Sequence, residues 1–180
     1  PKIKNLLPNP MQLKDMNVAI ERTYKSIVDS NLIGIFGDYD VDGASSTALL
    51  ARYFLSIKQK IRTYIPDRQT EGYGPNNGGF NNLINNGVKI IFTVDCGTLS
   101  FEPINLAQKL DVDVIVLDHH QSDIKLPNAC AIINPNRYDD TSGLNYLCAV
   151  GVCFVFLVGI NKKLRDENWF KNNNIKEPNI

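Results

Sequence analysis

The stretch Leu32-Ile33-Gly34-Ile35-Phe36-Gly37-Asp38-Tyr39-Asp40-Val41-Asp42-Gly43 decides the fold. Residues 32–37 are non-polar without alternation, as suits a strand covered on both faces. Three carboxylates at alternating positions come directly after, and the amphipathic stretch 45–58 predicts a helix behind them. Buried strand, charged turn and helix make the repeating unit of a parallel α/β sheet.

The unit recurs along the chain. Strands are expected at 32–37, 61–65, 89–95, 112–118 and 129–134, and helices at 11–30, 45–58, 75–86, 102–110 and 144–163. The expected fold class is α/β, an open parallel sheet of about five strands with helices on both faces. Residues 1–163 are expected to form that domain. Residues 164–180 read as a polar tail, or as the start of a linker to a second domain, in a chain that looks cut from something longer.

Composition narrows the function. A chain of 180 residues that is 43% hydrophobic can bury a sizeable core. Nineteen basic residues balance nineteen acidic ones, so no global positive field recruits a polyanion, and any such partner must be recognised at a local site. Cys96, Cys130, Cys148 and Cys153 form no C-x-x-C pair and are read as reduced thiols. The longest apolar run, 147–160, is interrupted by Gly151 and Gly159 and is too short for a bilayer. No charged-then-apolar leader opens the chain, so the expected setting is cytoplasmic, without a membrane partner.

The carboxyl ends of the expected strands share one chemical character. The first strand leads into Asp38, Asp40 and Asp42; the second into Asp67 and Arg68, then Glu71-Gly72-Tyr73-Gly74; the third into Asp95; the fourth into Asp118-His119-His120; the fifth into Asn134-Pro135. Ligands of open α/β sheets sit at the carboxyl ends of the strands, and all five ends here are polar or charged. Three carboxylates within five residues repel one another unless a cation lies among them; the alternative is a solvated acidic loop. Only one of the two adjacent histidines, the only ones in the chain, is expected to bind metal while the other faces substrate. Mixed carboxylate and imidazole ligation without thiolate favours Mn²⁺ or Mg²⁺. Two such ions suit displacement at phosphorus. Arg68 is a natural phosphate clamp that Glu71 could hold in place, or else half of a surface salt bridge.

The motifs Gly37-Asp38-Tyr39-Asp40-Val41-Asp42-Gly43, Asp95-Cys96-Gly97 and Asp118-His119-His120 resemble the signatures of the DHH phosphoesterase superfamily. Pro66-Asp67-Arg68 with Glu71-Gly72-Tyr73-Gly74, Asn134-Pro135 and Leu147-Cys148-Ala149-Val150-Gly151-Val152 resemble its RecJ branch, exonucleases specific for single-stranded DNA. The likeness runs over residues 32–157. It implies a hydrolase working 5′ to 3′ in DNA repair and recombination. Asp40, Asp42, Asp95 and His119 would ligate two Mn²⁺ or Mg²⁺ ions, with Asp38 beside them as a further catalytic carboxylate. His120 and Arg68 would contact the scissile phosphate, and Asp118 would orient the loop or a ligand histidine. The implied partner is single-stranded DNA, joined through the longer protein by a single-strand-binding protein or a helicase.

Two departures stand out. Phe36 occupies the place where many relatives carry a histidine, with Asp38 expected to compensate. No segment resembles the G-T-x-A-D stretch that supplies a further aspartate, so the chain is expected to be a weakly active or inactive fragment. The alternatives are another DHH phosphoesterase (oligoribonuclease, cyclic-dinucleotide phosphodiesterase or pyrophosphatase) and a non-catalytic DHH remnant. The small-substrate enzymes usually carry serine at the place of Gly43 and lack the Arg68 loop.

Overall fold

Five strands, β1 (Ile33–Gly37), β2 (Ile61–Tyr64), β3 (Ile90–Val94), β4 (Asp113–Leu117) and β5 (Ala131–Ile133), pair in parallel in the order β2-β1-β3-β4-β5. This computed structural model describes residues 7–180; the first six residues of the expected domain lie outside the described residues. The helices are α1 (Met16–Val28), α2 (Val41–Ser56), α3 (Asn77–Asn85), α4 (Phe101–Lys109), α5 (Ala149–Asp166) and α6 (Trp169–Asn172).

Every residue of β1 and of β3 is buried, which explains their unbroken apolar sequence. Ile33, Ile35, Phe92 and Ile115 pack into a larger core with side chains of α1, α2 and α5, where Phe92 meets Phe54 and Phe156 at ring separations of 5.6 and 5.4 Å. Phe36, Ile91, Val114 and Val116 pack on the other face against Phe80 and Leu83 of α3 and Ile104 and Ala107 of α4. The sheet is thus sandwiched as the sequence leads one to expect. No described helix is long and apolar enough to cross a membrane.

Helices α3 and α4 start within two residues of the sequence reading, and the other three starts differ more, each for a local reason. Helix α2 begins at Val41 rather than at 45, because the Asp40 side chain accepts from the Gly43 amide and caps the helix. Helix α5 begins at Ala149 rather than at 144, since Cys148 is still extended. Helix α1 begins at Met16 rather than at 11, because Asp15 adopts a left-handed conformation (φ 60°). The Asp15 carboxylate accepts from the Ile132 amide (3.2 Å) and pairs with the buried guanidinium of Arg137, so the turn before α1 is tied to β5.

Residues 164–180 pack back on the domain. Leu164 and Phe170 are buried in the larger core, and Glu177 accepts from Asn161 Nδ2 (2.8 Å) and Arg165 Nε (2.9 Å). Phe36 is fully buried, with its ring 5.4 Å from Tyr64 and 5.7 Å from Phe80. Its position belongs to the core, not to the sheet edge. Phe36→His is therefore expected to cost about 2–4 kcal/mol in urea unfolding, from lost packing and an unpartnered imidazole, without raising Mn²⁺ affinity.

Candidate metal centre

Strand order sets the location. The chain passes from β1 to β2 through α2 on one face, then crosses back past β1 to β3 through α3 on the other. The carboxyl ends of β1 and β3 therefore flank the switch point, where an α/β sheet opens a crevice. Asp38 comes directly after β1 and Asp95 directly after β3.

Asp95 is the centre of the cluster. It is 1% exposed, and neither carboxylate oxygen has a hydrogen-bond partner. Its backbone is left-handed (φ 60°), and the turn closes through Gly97 (φ 115°), where an added Cβ would lie 2.3 Å from the Thr93 hydroxyl. Ligand atoms of Asp38, Asp40 and Asp95 lie within 4.8 Å of one another, as do those of Asp95, His119 and His120. Burial, then the charge of Asp42, push Asp95 up to about 8. Burial raises Asp38 too, whereas the Gly43 amide lowers Asp40. A buried carboxylate whose oxygens lack hydrogen bonds, ringed by carboxylates and imidazole, suits a hard divalent cation, so the residues fit Mn²⁺ or Mg²⁺.

Asp42 lies in neither of these clusters. Its oxygens accept from the amides of Ala149 (2.8 Å) and Val150 (2.9 Å), the first residues of α5, and one of them lies 3.6 Å from His119 Nε2. Helix α5 thus draws Asp42 to its N-terminus while leaving it beside the cluster. Gly43 has a clear role: a Cβ there would meet the Asp38 backbone oxygen at 2.6 Å, so the first turn of α2 could not sit so close to the site.

The two histidines face different carboxylates. His119 Nε2 lies 3.3 Å from Asp95 Oδ1. His120 turns its Nδ1 to Asp118 Oδ1 at 2.7 Å, and that hydrogen bond raises it to about 9. Burial pushes Asp118 up, but hydrogen bonds from His120 and Thr98 prevail and bring it to about 2. Asp118 accepts from the amides of His119 (2.7 Å), His120 (3.2 Å) and Thr98 (3.1 Å) and from the Thr98 hydroxyl (2.7 Å), so it orients the loop as the sequence suggests.

Asn134, fully buried, donates to Thr98 Oγ1 (2.9 Å) and to the His120 carbonyl (2.9 Å), and Asn136 donates to the His119 carbonyl. Sequence alone gives neither asparagine a task; the signal it carried was a polar residue directly after a strand.

Arg68 is not held by Glu71. The Glu71 carboxylate accepts from Tyr64 Oη (2.5 Å) and the Asp67 amide (2.8 Å), which pins the loop to β2. Arg68 instead lies over the Tyr39 ring, 5.3 Å from its centroid, between the loop and the Asp38–Asp40 turn.

The sequence model of the DHH family, N-terminal domain, matches residues 32–177. The chain is 35% identical over 159 residues to the single-stranded-DNA-specific exonuclease RecJ of Bacillus subtilis (strain 168), covering 88% of this chain and 20% of that protein. It is 36% identical over 179 residues to the protein of the same name from Escherichia coli (strain K12), covering 99% of this chain and 31% of that protein. A crystal structure of exonuclease RecJ bound to manganese superposes with a TM-score of 0.77 at 28% identity, over 88% of this chain and 39% of that one. The chain therefore spans 20% and 31% of the lengths of these two relatives.

The His120–Asp118 pair has a defined pH signature. His120 is raised from 6.5 to about 9, so its stabilisation is complete below 6.5 and fades as pH rises through about 9. Asp118 is lowered from 3.8 to about 2, so its share is lost only as pH falls through about 2. Wild-type unfolding stability is expected to decline between about pH 6 and about pH 10, and His120→Gln to flatten that decline. Equal slopes in the two proteins would contradict the pairing.

Proposed function

Because the chain belongs to the DHH family, we propose that its polar sheet edge is the metal-holding part of a phosphodiesterase site acting on single-stranded DNA from the 5′ end. The observation that carries this reading is the buried carboxylate of Asp95, without a hydrogen bond to either oxygen, at the meeting point of Asp38, Asp40 and His119. The similarity to RecJ proteins supports the substrate class and the choice of Mn²⁺ or Mg²⁺. On the same ground we place the longer protein in cytoplasmic DNA repair and recombination, with a single-strand-binding protein or helicase as partner.

Asp40, Asp42, Asp95 and His119 would hold two ions, with Asp38 beside them. Bound ions would neutralise the phosphoryl oxygens and acidify the attacking water. The protein's own residues do the rest. His120 is the charged imidazole of the edge, so it is suited to a phosphate oxygen and, through its mobile proton, to the leaving oxygen. Arg68 sits on an aromatic ring rather than in an ion pair, which leaves its guanidinium nitrogens open to phosphate. Asp118, Asn134 and Asn136 keep both histidines in register, so that little reorganisation remains when substrate arrives.

Calorimetric titration of this chain with Mn²⁺ tests the reading. Wild type should bind, and Asp95→Ala and His119→Ala should each weaken binding at least about tenfold. With Mn²⁺ present, release of mononucleotides from single-stranded DNA should exceed hydrolysis of a dinucleotide or of pyrophosphate; preference for either small substrate would assign the site to another DHH branch.

A further inference from the structure

We infer that Tyr73 is a positioning residue whose hydroxyl fixes the backbone of Asp95 and so aims the Asp95 carboxylate at the ion site. The inference rests on the metal reading above and extends the site by one residue from the β2 loop. A carboxylate that binds metal is usually oriented by hydrogen bonds to its outer oxygen. Neither buried oxygen of Asp95 has a hydrogen-bond partner, and its neighbour His119 Nε2, 3.3 Å from Oδ1, is itself a candidate ligand rather than an outer support. The direction of the Asp95 Cα–Cβ bond is set by its backbone, and that backbone is in the left-handed region, which residues other than glycine rarely occupy.

Two tethers hold it there. The Asp95 amide donates to the Leu117 carbonyl on β4 at 3.0 Å, and the Asp95 carbonyl accepts from Tyr73 Oη at 3.2 Å. One fixes the peptide plane before Asp95 and the other the plane after it. Together they define where Cβ points. The first tether continues the sheet ladder and comes with the fold. The second is supplied by a loop that leaves the edge strand β2 and passes the end of β1 to reach β3.

The loop is shaped for this reach. Tyr73 stands between Gly72 (φ 79°) and Gly74 (φ 78°), and a Cβ at either glycine would meet nothing, so the glycines serve chain direction rather than space. Burial of the ring does not explain Tyr73, which is 57% exposed while its hydroxyl reaches a residue that is 1% exposed. The ring also stands edge-on to the His120 imidazole, with centroids 6.1 Å apart at 76°, so the residue touches both sides of the site.

The test compares Mn²⁺ titrations of the wild-type chain, Tyr73→Phe and Tyr73→Leu, with the imidazole signals of the two histidines followed by NMR. Losing one hydrogen bond should make Tyr73→Phe bind Mn²⁺ about three- to tenfold more weakly, with the metal-free melting temperature and the His120 signals unchanged. Tyr73→Leu should weaken binding at least as much and also shift the His120 signals. Unaltered Mn²⁺ affinity in Tyr73→Phe, with wild type binding, would overturn this inference alone, and so would a parallel fall in its metal-free melting temperature, which would make Tyr73 a fold residue. Absence of binding by wild type would overturn the metal reading and this inference together.

Discussion

A carboxylate buried without a hydrogen-bond partner is among the costlier things a protein can keep, and the architecture of this domain is organised around one. Asp95 is enclosed by the ends of β1, β3 and β4 and by the loop from β2. Burial and the neighbouring carboxylates favour its protonated form, which is why Asp95 is raised to about 8. A proton and a divalent ion answer the same electrostatic demand.

Around that centre the fold separates two tasks. The β1 side supplies charge: Asp38, Asp40 and Asp42 crowd the start of α2, where Gly43 lets the helix approach. The β4–β5 side supplies order. Asp118, Thr98, Asn134 and Asn136 form a satisfied polar network that holds the backbone of both histidines, and each member is used by more than one partner or by a buried one. A network that is fully paired in a low-dielectric setting rigidifies what it touches. Charge without order would leave a mobile acidic loop, and order without charge would leave nothing for an ion to bind.

Most of the fold and half of the site were legible in the sequence, and the division has a physical basis. Strands buried on both faces write themselves as apolar runs, and in a parallel sheet their ends share one edge, so Asp38, Asp40, Asp95, His119 and His120 could be grouped without coordinates. Contacts that cross from one strand's loop to another strand's end leave no such trace. Tyr73 reaches Asp95 across the end of β1, which lies between β2 and β3, and that order is not written in any local pattern. Proximity in sequence misled in one place: Glu71 and Arg68 are neighbours, yet the turn directs Glu71 to Tyr64 and Arg68 to Tyr39. Asp40 shows a different ambiguity, since an acidic residue before a helix reads equally well as a ligand or a cap, and here it caps α2 from within the cluster.

Asp42 connects the site to the core in a way that neither loop nor strand could. Its two oxygens take the first amides of α5, a helix whose Val152, Phe156 and Ile160 are fully buried against the sheet. The N-terminus of such a helix favours negative charge, and it is immobile because the rest of the helix is packed. Asp42 therefore stays beside His119, 3.6 Å away, through a helix that begins 107 residues later in the chain. A loosening of the α5 packing would release this carboxylate from the helix amides that hold it. The hydrophobic core is in this sense part of the candidate site, and its packing helps to hold so many like charges at fixed places.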